Sequence, residues 1–477
     1  MSPIITGLKS RQNEIRISVI IPAYNAERFI GEAVRSVLDQ GAAGFEILIV
    51  NDGSTDATPD VLQSFDDSRI RVFHQVNRGV CAARNLGLRE ARGEFVVFMD
   101  ADDVMLPGKL RAQLALFDAF RPHIPRLDII HSGWTLAAAD GSELTTIKPW
   151  ETAPDLNLET WLLRKPVFPG ALMLDRRAVC DAGGFDESLT QAEDVDLILR
   201  LSAGGSRARW LYRPTVLYRQ HGENAILDGM KQAVNLDKVL DKFFSRPDLP
   251  RKIRKIERRV RYNTLMWLIW RLHQTGHTEA VPRYLRKSHP VSPFRPTSVL
   301  TVTDWQIKIV EHALNAGCSP DIVRSLWPAM REASDLQDGD WESAKASLAF
   351  HLDVWQHRAF RDAAALAAHK SMSPAEISEV GAPVIFVAPW TRPADVKRVH
   401  RSLQDAGFLK GRKSPDISAL YLTLASRKLY ERGIRDFLGS IAGIIVCGAA
   451  PRTFRPWLKT MAMAWRALKT RWRRNGK

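Results

Sequence analysis

Three polar clusters in the first hundred residues each follow a short apolar run: Pro22-Ala-Tyr-Asn25, Asn51-Asp-Gly-Ser-Thr-Asp56 and Asp100-Ala-Asp-Asp103. The last holds the most reactive chemistry. Alternate residues just past a strand can aim the carboxylates of Asp100 and Asp102 at one point. Hard oxygen ligands suit Mg2+ or Mn2+, which bind through one or two carboxylates plus substrate phosphates. A cation held there would bridge a diphosphate and take up the charge that builds as it leaves. Taken alone, an Asp-x-Asp is more commonly a solvated loop or a helix cap, so its weight depends on its surroundings.

Those surroundings read as alternating strands and helices. Ile17–Ile21 is a β-branched run stopped by Pro22, Phe45–Val50 a second buried strand, Arg69–Phe73 an extended run and Glu94–Met99 a further strand. Between them Glu27–Gln40, Thr55–Phe65 and Gly79–Ala91 carry apolar residues at helical spacing. This rhythm predicts right-handed crossovers and a parallel sheet covered on both faces. In such sheets ligands bind outside the carboxyl ends of the strands, so all three clusters should meet at one rim. Further on, Pro107–Phe120 and Glu193–Ser202 read as helices, and Asp128–Ser132, Gly170–Asp175 and Arg209–Tyr218 as strands.

The ordered set Ser18–Asn25, Ile49–Asp56, Asn77-Arg-Gly79, Ala82–Gly87 and Phe98–Asp103 resembles the family 2 glycosyltransferases. The likeness runs over about 90 residues and continues more loosely to His221. It implies an α/β fold of the GT-A type, Rossmann-like with a mostly parallel sheet. The implied activity is inverting, non-processive transfer of a sugar from a nucleotide-diphosphate donor, a UDP-sugar first among them, to an acceptor hydroxyl. By motif, Pro22, Tyr24, Asn25, Asp52, Arg84 and Asp100 would hold the nucleotide, with Tyr24 packing on the base and Asp52 accepting from a ring N–H. Asp102, with Asp100, would hold Mn2+ or Mg2+, and His221 would complete that shell. Gly183–Glu187 followed by Ala192–Asp196 resembles the segment in which Asp194, beside Glu193, is the catalytic base.

Each residue also has a plainer reading. Asn51 and Asp56 can shape a turn or cap a helix, Arg84 can be a surface helix residue, and Glu193 and Asp194 can complement a helix dipole. His221 can be structural. The Gln-x-x-Arg-Trp motif of processive synthases is missing, as are Gly-x-Gly-x-x-Gly and Walker signatures. A nucleotidyltransferase would need a Gly-rich basic loop after the first strand, which Pro22–Arg28 is not. The other alternative is a non-catalytic nucleotide-sugar binding module; with Asp52, Asp100, Asp102 and Asp194 all present, nothing in the sequence supports a loss of turnover.

At 477 residues the chain exceeds one ordinary core. The reading is a leader over 1–14, a transferase domain over 15–225 and a basic, mainly helical region over 226–477 that subdivides near 337–340. The net charge of +15 is unevenly spread: residues 1–225 carry −5 and residues 226–477 carry +20. The second half therefore invites an anionic partner, a membrane surface or a polyanion. A Trp/Met stripe at Trp457, Met461, Trp465 and Trp472 amid Lys and Arg suits an interfacial helix. Packing into the helical core is the alternative, and it is the preferred reading for Tyr262–Trp270. No nucleic-acid module is visible. Four dispersed cysteines without a CxxC pair fit a reducing compartment. The opening residues do not read as a signal peptide and the longest apolar run, Phe437–Ala450, is too short to span. The expected location is cytoplasmic, with a peripheral site at the inner membrane face. The expected partners are the nucleotide sugar and an acceptor glycan, glycolipid or protein.

Overall fold

A computed structural model describes residues 15–345 apart from positions 43, 223, 225, 226, 295, 298, 317, 320, 321 and 343. The expected strand at 383–387, the apolar run at 437–450 and the Trp/Met stripe lie outside the described residues. The chain divides into two compact units between Glu257 and Arg258.

The first unit opens as its apolar runs require. Strand β1 (Ile17–Ala23), helix α1 (Ile30–Leu38), β2 (Phe45–Asp52), α2 (Thr58–Gln63), β3 (Ile70–Gln75), α3 (Val80–Glu90) and β4 (Phe95–Phe98) follow in order. β1 lies between β2 and β4 and β2 beside β3, all parallel. Every residue of β1 and β2 is buried, as expected for strands covered on both faces. Pro22 does not stop β1: the strand runs on to Ala23, with Pro22 opposite Val50.

Beyond β4 the sheet becomes mixed. The elements are β5 (Val104–Met105), α4 (Lys109–Phe120), β6 (Leu127–Ala137), β7 (Glu143–Ile147), α5 (Leu158–Arg164), β8 (Leu172–Asp175), α6 (Arg176–Asp181), α7 (Glu193–Ala203) and β9 (Arg207–Arg219). The order across the sheet is β3-β2-β1-β4-β8-β6-β9-β5, with β7 paired to β6. β8 runs antiparallel to both β4 and β6, whereas β6 and β9 are parallel. The sheet is thus a parallel half carrying an antiparallel and mixed extension. The exposed β7 and the two-residue β5 went unread, because neither shows a buried apolar run. Helices α8 (Gly229–Phe244) and α9 (Arg251–Arg254) end the first unit.

The second unit contains α10 (Glu257–Gln274, its first residue across the division), α11 (Val281–Ser288), α12 (Val299–Asn315), α13 (Ile322–Ser325) and α14 (Trp327–Ala333). Tyr262, Leu265, Met266, Leu268, Ile269 and Trp270 are buried in its own core, as favoured from sequence. Among the described residues no helix is long and apolar enough to cross a membrane.

Helix α3 must lie flat on β1 to bring its polar face to the rim, and Gly87 permits this. A Cβ at Gly87 would stand 2.4 Å from Ile20 Cγ2. Gly87→Val is expected to lower the unfolding free energy by about 1–3 kcal/mol through overpacking, despite the better helix propensity of Val. Urea unfolding checks this, and Ile20→Ala in the same chain should recover part of the loss.

Candidate active site

The rim is organised around Arg84. Its guanidinium is buried on the inner face of α3, donating from Nη2 to Asp100 Oδ1 at 2.7 Å and from Nη1 to Glu193 Oε1 at 2.6 Å. The cation also lies 5.2 Å from the centre of the Phe185 ring. Burial alone would work against the charge, but the two carboxylates outweigh it and hold Arg84 firmly protonated. Arg84 is therefore not the surface residue of the plainer reading. One side chain ties the tip of β4 to the first turn of α7.

That turn is reached through Ala192, which adopts a left-handed backbone with φ of 59°. Glu193 is taken up by Arg84, while Asp194 accepts from the Val195 N–H at 2.7 Å and, among the described residues, carries no ion pair. Burial first, then the adjacent Glu193 charge, push the half-buried Asp194 up to about 7. A carboxyl poised near neutrality can serve as a proton acceptor.

The loop before α7 is fixed to α3 by Asn85. Its Nδ2 donates to the Phe185 carbonyl at 2.9 Å and its Oδ1 accepts from the Phe185 N–H at 2.8 Å. Gly184 is required beneath it: φ is +68° and a Cβ would stand 2.6 Å from Asn85 Oδ1.

At the acid turn, Asp102 Oδ2 lies 2.9 Å from His221 Nε2 and accepts from Asn224 Nδ2 at 3.3 Å. His221 stacks on Phe29 with centroids 4.8 Å apart. Burial and then the Asp100 charge raise the Asp102 pKa, against the His221 hydrogen bond. The neighbouring Asp103 is fully buried and raised well above the usual range, first by burial and then by Asp102. Its Oδ1 accepts from the Arg219 N–H at 3.2 Å, and Oδ2 has no hydrogen-bond partner among the described residues. Three crowded carboxylates are a place for a cation. Among the described residues no group of three or more His, Cys, Asp and Glu side chains forms a preformed metal cage. Asp102 with His221 could supply two donors to such a cation, a number that suits an ion whose remaining ligands would come from substrate phosphate.

The residues expected to hold a nucleotide differ in how many of their polar atoms are already engaged. The Asp52 carboxylate accepts from Gln75 Nε2 at 2.7 Å, the Arg78 N–H at 2.8 Å and the Gly79 N–H at 2.8 Å. It thus shapes the loop after β3 and keeps about one of its four lone-pair positions. Asn25, left-handed with φ of 47°, accepts from the Thr55 N–H at 2.8 Å and donates its own N–H to the Ser54 hydroxyl oxygen at 3.0 Å, joining the β1 and β2 rims. Asp56 does act as a turn former, accepting from the Thr58 and Glu27 N–H groups. Pro22 is buried in β1, whereas the Tyr24 ring is 51% exposed on the rim.

Phe29, Arg219 and Asn224 were not anticipated as members of this site. Arg219 and Asn224 lie two residues before and three after His221 in sequence, yet only His221 was singled out. Phe29 read as one apolar position of a helix, and nothing in its spacing reveals that its ring would meet His221.

The chain is thus an α/β protein whose strand ends gather a carboxylate turn, a buried arginine and a poised acidic residue. Residues 18–163, all within the first unit, match the family described as Glycosyl transferase family 2. An uncharacterised glycosyltransferase of Rickettsia felis is 34% identical over 194 residues, 39% of this chain and 31% of the relative. EpsJ of Bacillus subtilis, also an uncharacterised glycosyltransferase, is 29% identical over 229 residues, 43% of this chain and 61% of the relative. TuaG of B. subtilis, a putative teichuronic acid biosynthesis glycosyltransferase, is 40% identical over 131 residues, 27% of this chain and 50% of the relative. The chain therefore spans less than two thirds of the length of these relatives. Among solved structures, S. aureus TarS 1–349 in complex with UDP-GlcNAc is similar at 19% identity, covering 70% of this chain and 91% of that one with a TM-score of 0.46.

Arg84→Met strands two carboxylates at the rim and is expected to cost about 3–5 kcal/mol in unfolding free energy, as for other broken buried pairs. Arg84→Lys, which keeps the charge but loses the fork, should cost less. Denaturant titration of both proteins checks the order.

Proposed function

We propose that the first unit moves one sugar from a nucleoside-diphosphate donor, a UDP-sugar first among them, to an acceptor hydroxyl with inversion at the anomeric carbon. The observation that carries this reading is the double pairing of Arg84. It sets Asp194, a carboxyl poised near neutrality, and the Asp100–Asp102 turn about one buried centre.

In this scheme Asp194 accepts the proton of the acceptor hydroxyl as its oxygen bonds to the anomeric carbon. The bond from that carbon to the diphosphate oxygen breaks on the opposite face, and its electron pair leaves with the diphosphate. Glu193 and Arg84 orient the base; Asp100 faces the ribose side. Tyr24 packs on the nucleobase, and Asp52 supports that pocket through the loop after β3 and its remaining lone pair. Asp102 and His221 would hold Mn2+ or Mg2+, whose contribution is to neutralise charge on the departing diphosphate. The catalysed step belongs to the synthesis of a surface glycan or glycolipid, a reading that the name of TuaG supports. The basic region after residue 226 is proposed to hold the protein at an anionic inner membrane face, leaving the catalytic unit in the cytoplasm.

Hydrolysis of a panel of nucleotide sugars, with and without Mn2+, tests the scheme. Asp194→Asn is expected to lower turnover by about 10²–10⁴ while UDP still binds in calorimetry. Turnover at the wild-type rate in Asp194→Asn would remove the base from the mechanism.

The pH profile supplies an independent check. Asp194 works ionised, and its pKa is raised to about 7. Protonation below that point removes the base, so kcat/KM should fall about tenfold per pH unit on the acid side and level off above it. A profile flat from pH 5 to 8 would contradict the role.

A further inference from the structure

Arg219, the last residue of β9, is 4% exposed and spends every part of itself on the acid turn and its neighbours. Nε donates to the Asp102 carbonyl at 3.0 Å, Nη1 to the Ala139 carbonyl at 3.0 Å and Nη2 to Glu32 Oε2 at 2.7 Å. Its backbone N–H donates to Asp103 Oδ1 at 3.2 Å, and its carbonyl accepts from Asn224 Nδ2 at 3.1 Å. The cation lies 5.2 Å from the centre of the Phe29 ring, and that ring in turn stacks on His221. Three acceptors on three different elements demand the planar fork of an arginine rather than the point charge of a lysine.

We infer that Arg219 is the positioning residue for the pyrophosphate end of the site, setting the Asp102–His221 pair from both sides. It fixes Asp102 through the main chain of that residue and fixes His221 through Phe29 and Asn224. This inference rests on the reading of Asp102 and His221 as the cation-holding pair, where groups that orient ligands commonly govern about 10–100-fold in metal affinity. Glu32 and Ala139 extend the same restraint to α1 and to the β6–β7 turn. The whole acid turn is thus clamped by one guanidinium.

Calorimetry of UDP binding, with and without Mn2+, on the wild type, Arg219→Lys, Arg219→Met and Asp102→Ala tests this without a turnover assay. In Arg219→Met the gain in UDP affinity that Mn2+ confers is expected to shrink about tenfold or more, with Mn2+-free affinity held within about twofold. Arg219→Lys should fall between Arg219→Met and the wild type, and it decides the matter if the methionine protein fails to fold. A full Mn2+ gain in Arg219→Met overturns the inference, as does an equal loss with and without Mn2+, which would mark a general packing role. Absence of any Mn2+ gain in the wild type instead strikes the cation reading of Asp102, and the inference falls with it. A gain abolished in Asp102→Ala but retained in Arg219→Met removes the inference alone.

Discussion

A guanidinium cannot be taken out of water unless its charge is answered, and the structure answers that of Arg84 with two carboxylates from distant parts of the chain. Asp100 lies 16 residues away and Glu193 lies 109. Helix α3, the tip of β4 and the start of α7 therefore have one mutual arrangement in which the charge is satisfied. A broken buried pair costs about 3–5 kcal/mol, against a typical total stability of about 5–15 kcal/mol, so departures from that arrangement are scarcely populated. The two candidate functional carboxylates inherit this rigidity: Asp194 follows Glu193 along the helix, and Asp102 follows Asp100 around the turn.

The acid turn poses the opposite problem, three negative charges within four residues. The fold disposes of them separately. Asp100 is neutralised by Arg84, Asp102 is set against His221 and Asn224, and Asp103 is buried under the Arg219 N–H. Lys109 is buried nearby, donating to the Gly170 carbonyl, and burial pulls it down to about 7 although Asp103 pulls the other way. What survives is a turn whose half-buried carboxylate is still destabilised as an anion. A cation would relieve that cost, which is the electrostatic argument behind the role proposed for Asp102.

This division explains what could be read from sequence. β1 to β4 were legible because strands buried on both faces are continuous β-branched runs, and the rim followed from where those runs stop. Asp100, Asp102 and Asp194 were legible through motif order. The partners were not. Nothing local to Phe29 or Arg219 says that one would lie over the other, since they are joined only when β9 returns beside β5 across the sheet. Asp52 shows a subtler gap: its motif marks the position, yet only coordinates reveal three hydrogen bonds to the loop after β3. β7 stayed hidden for a simpler reason, because an exposed edge strand needs no apolar alternation.

The support of Asp194 extends past the strands that define the sheet. Lys242 of α8 donates to Asp186 at 2.7 Å and lies 3.3 Å from Asp196, a buried residue of α7. Asn235 of the same helix accepts from the Thr190 N–H at 3.2 Å. Asp196 also holds Arg200, whose remaining donors secure the carbonyls of Ala182 and Gly184 in the loop leading to α7. A push on α8 is therefore delivered to both the loop and the helix that present Asp194. The fall in strand content near residue 226 marks a change of secondary structure, whereas contacts with the segment that presents Asp194 continue into α8.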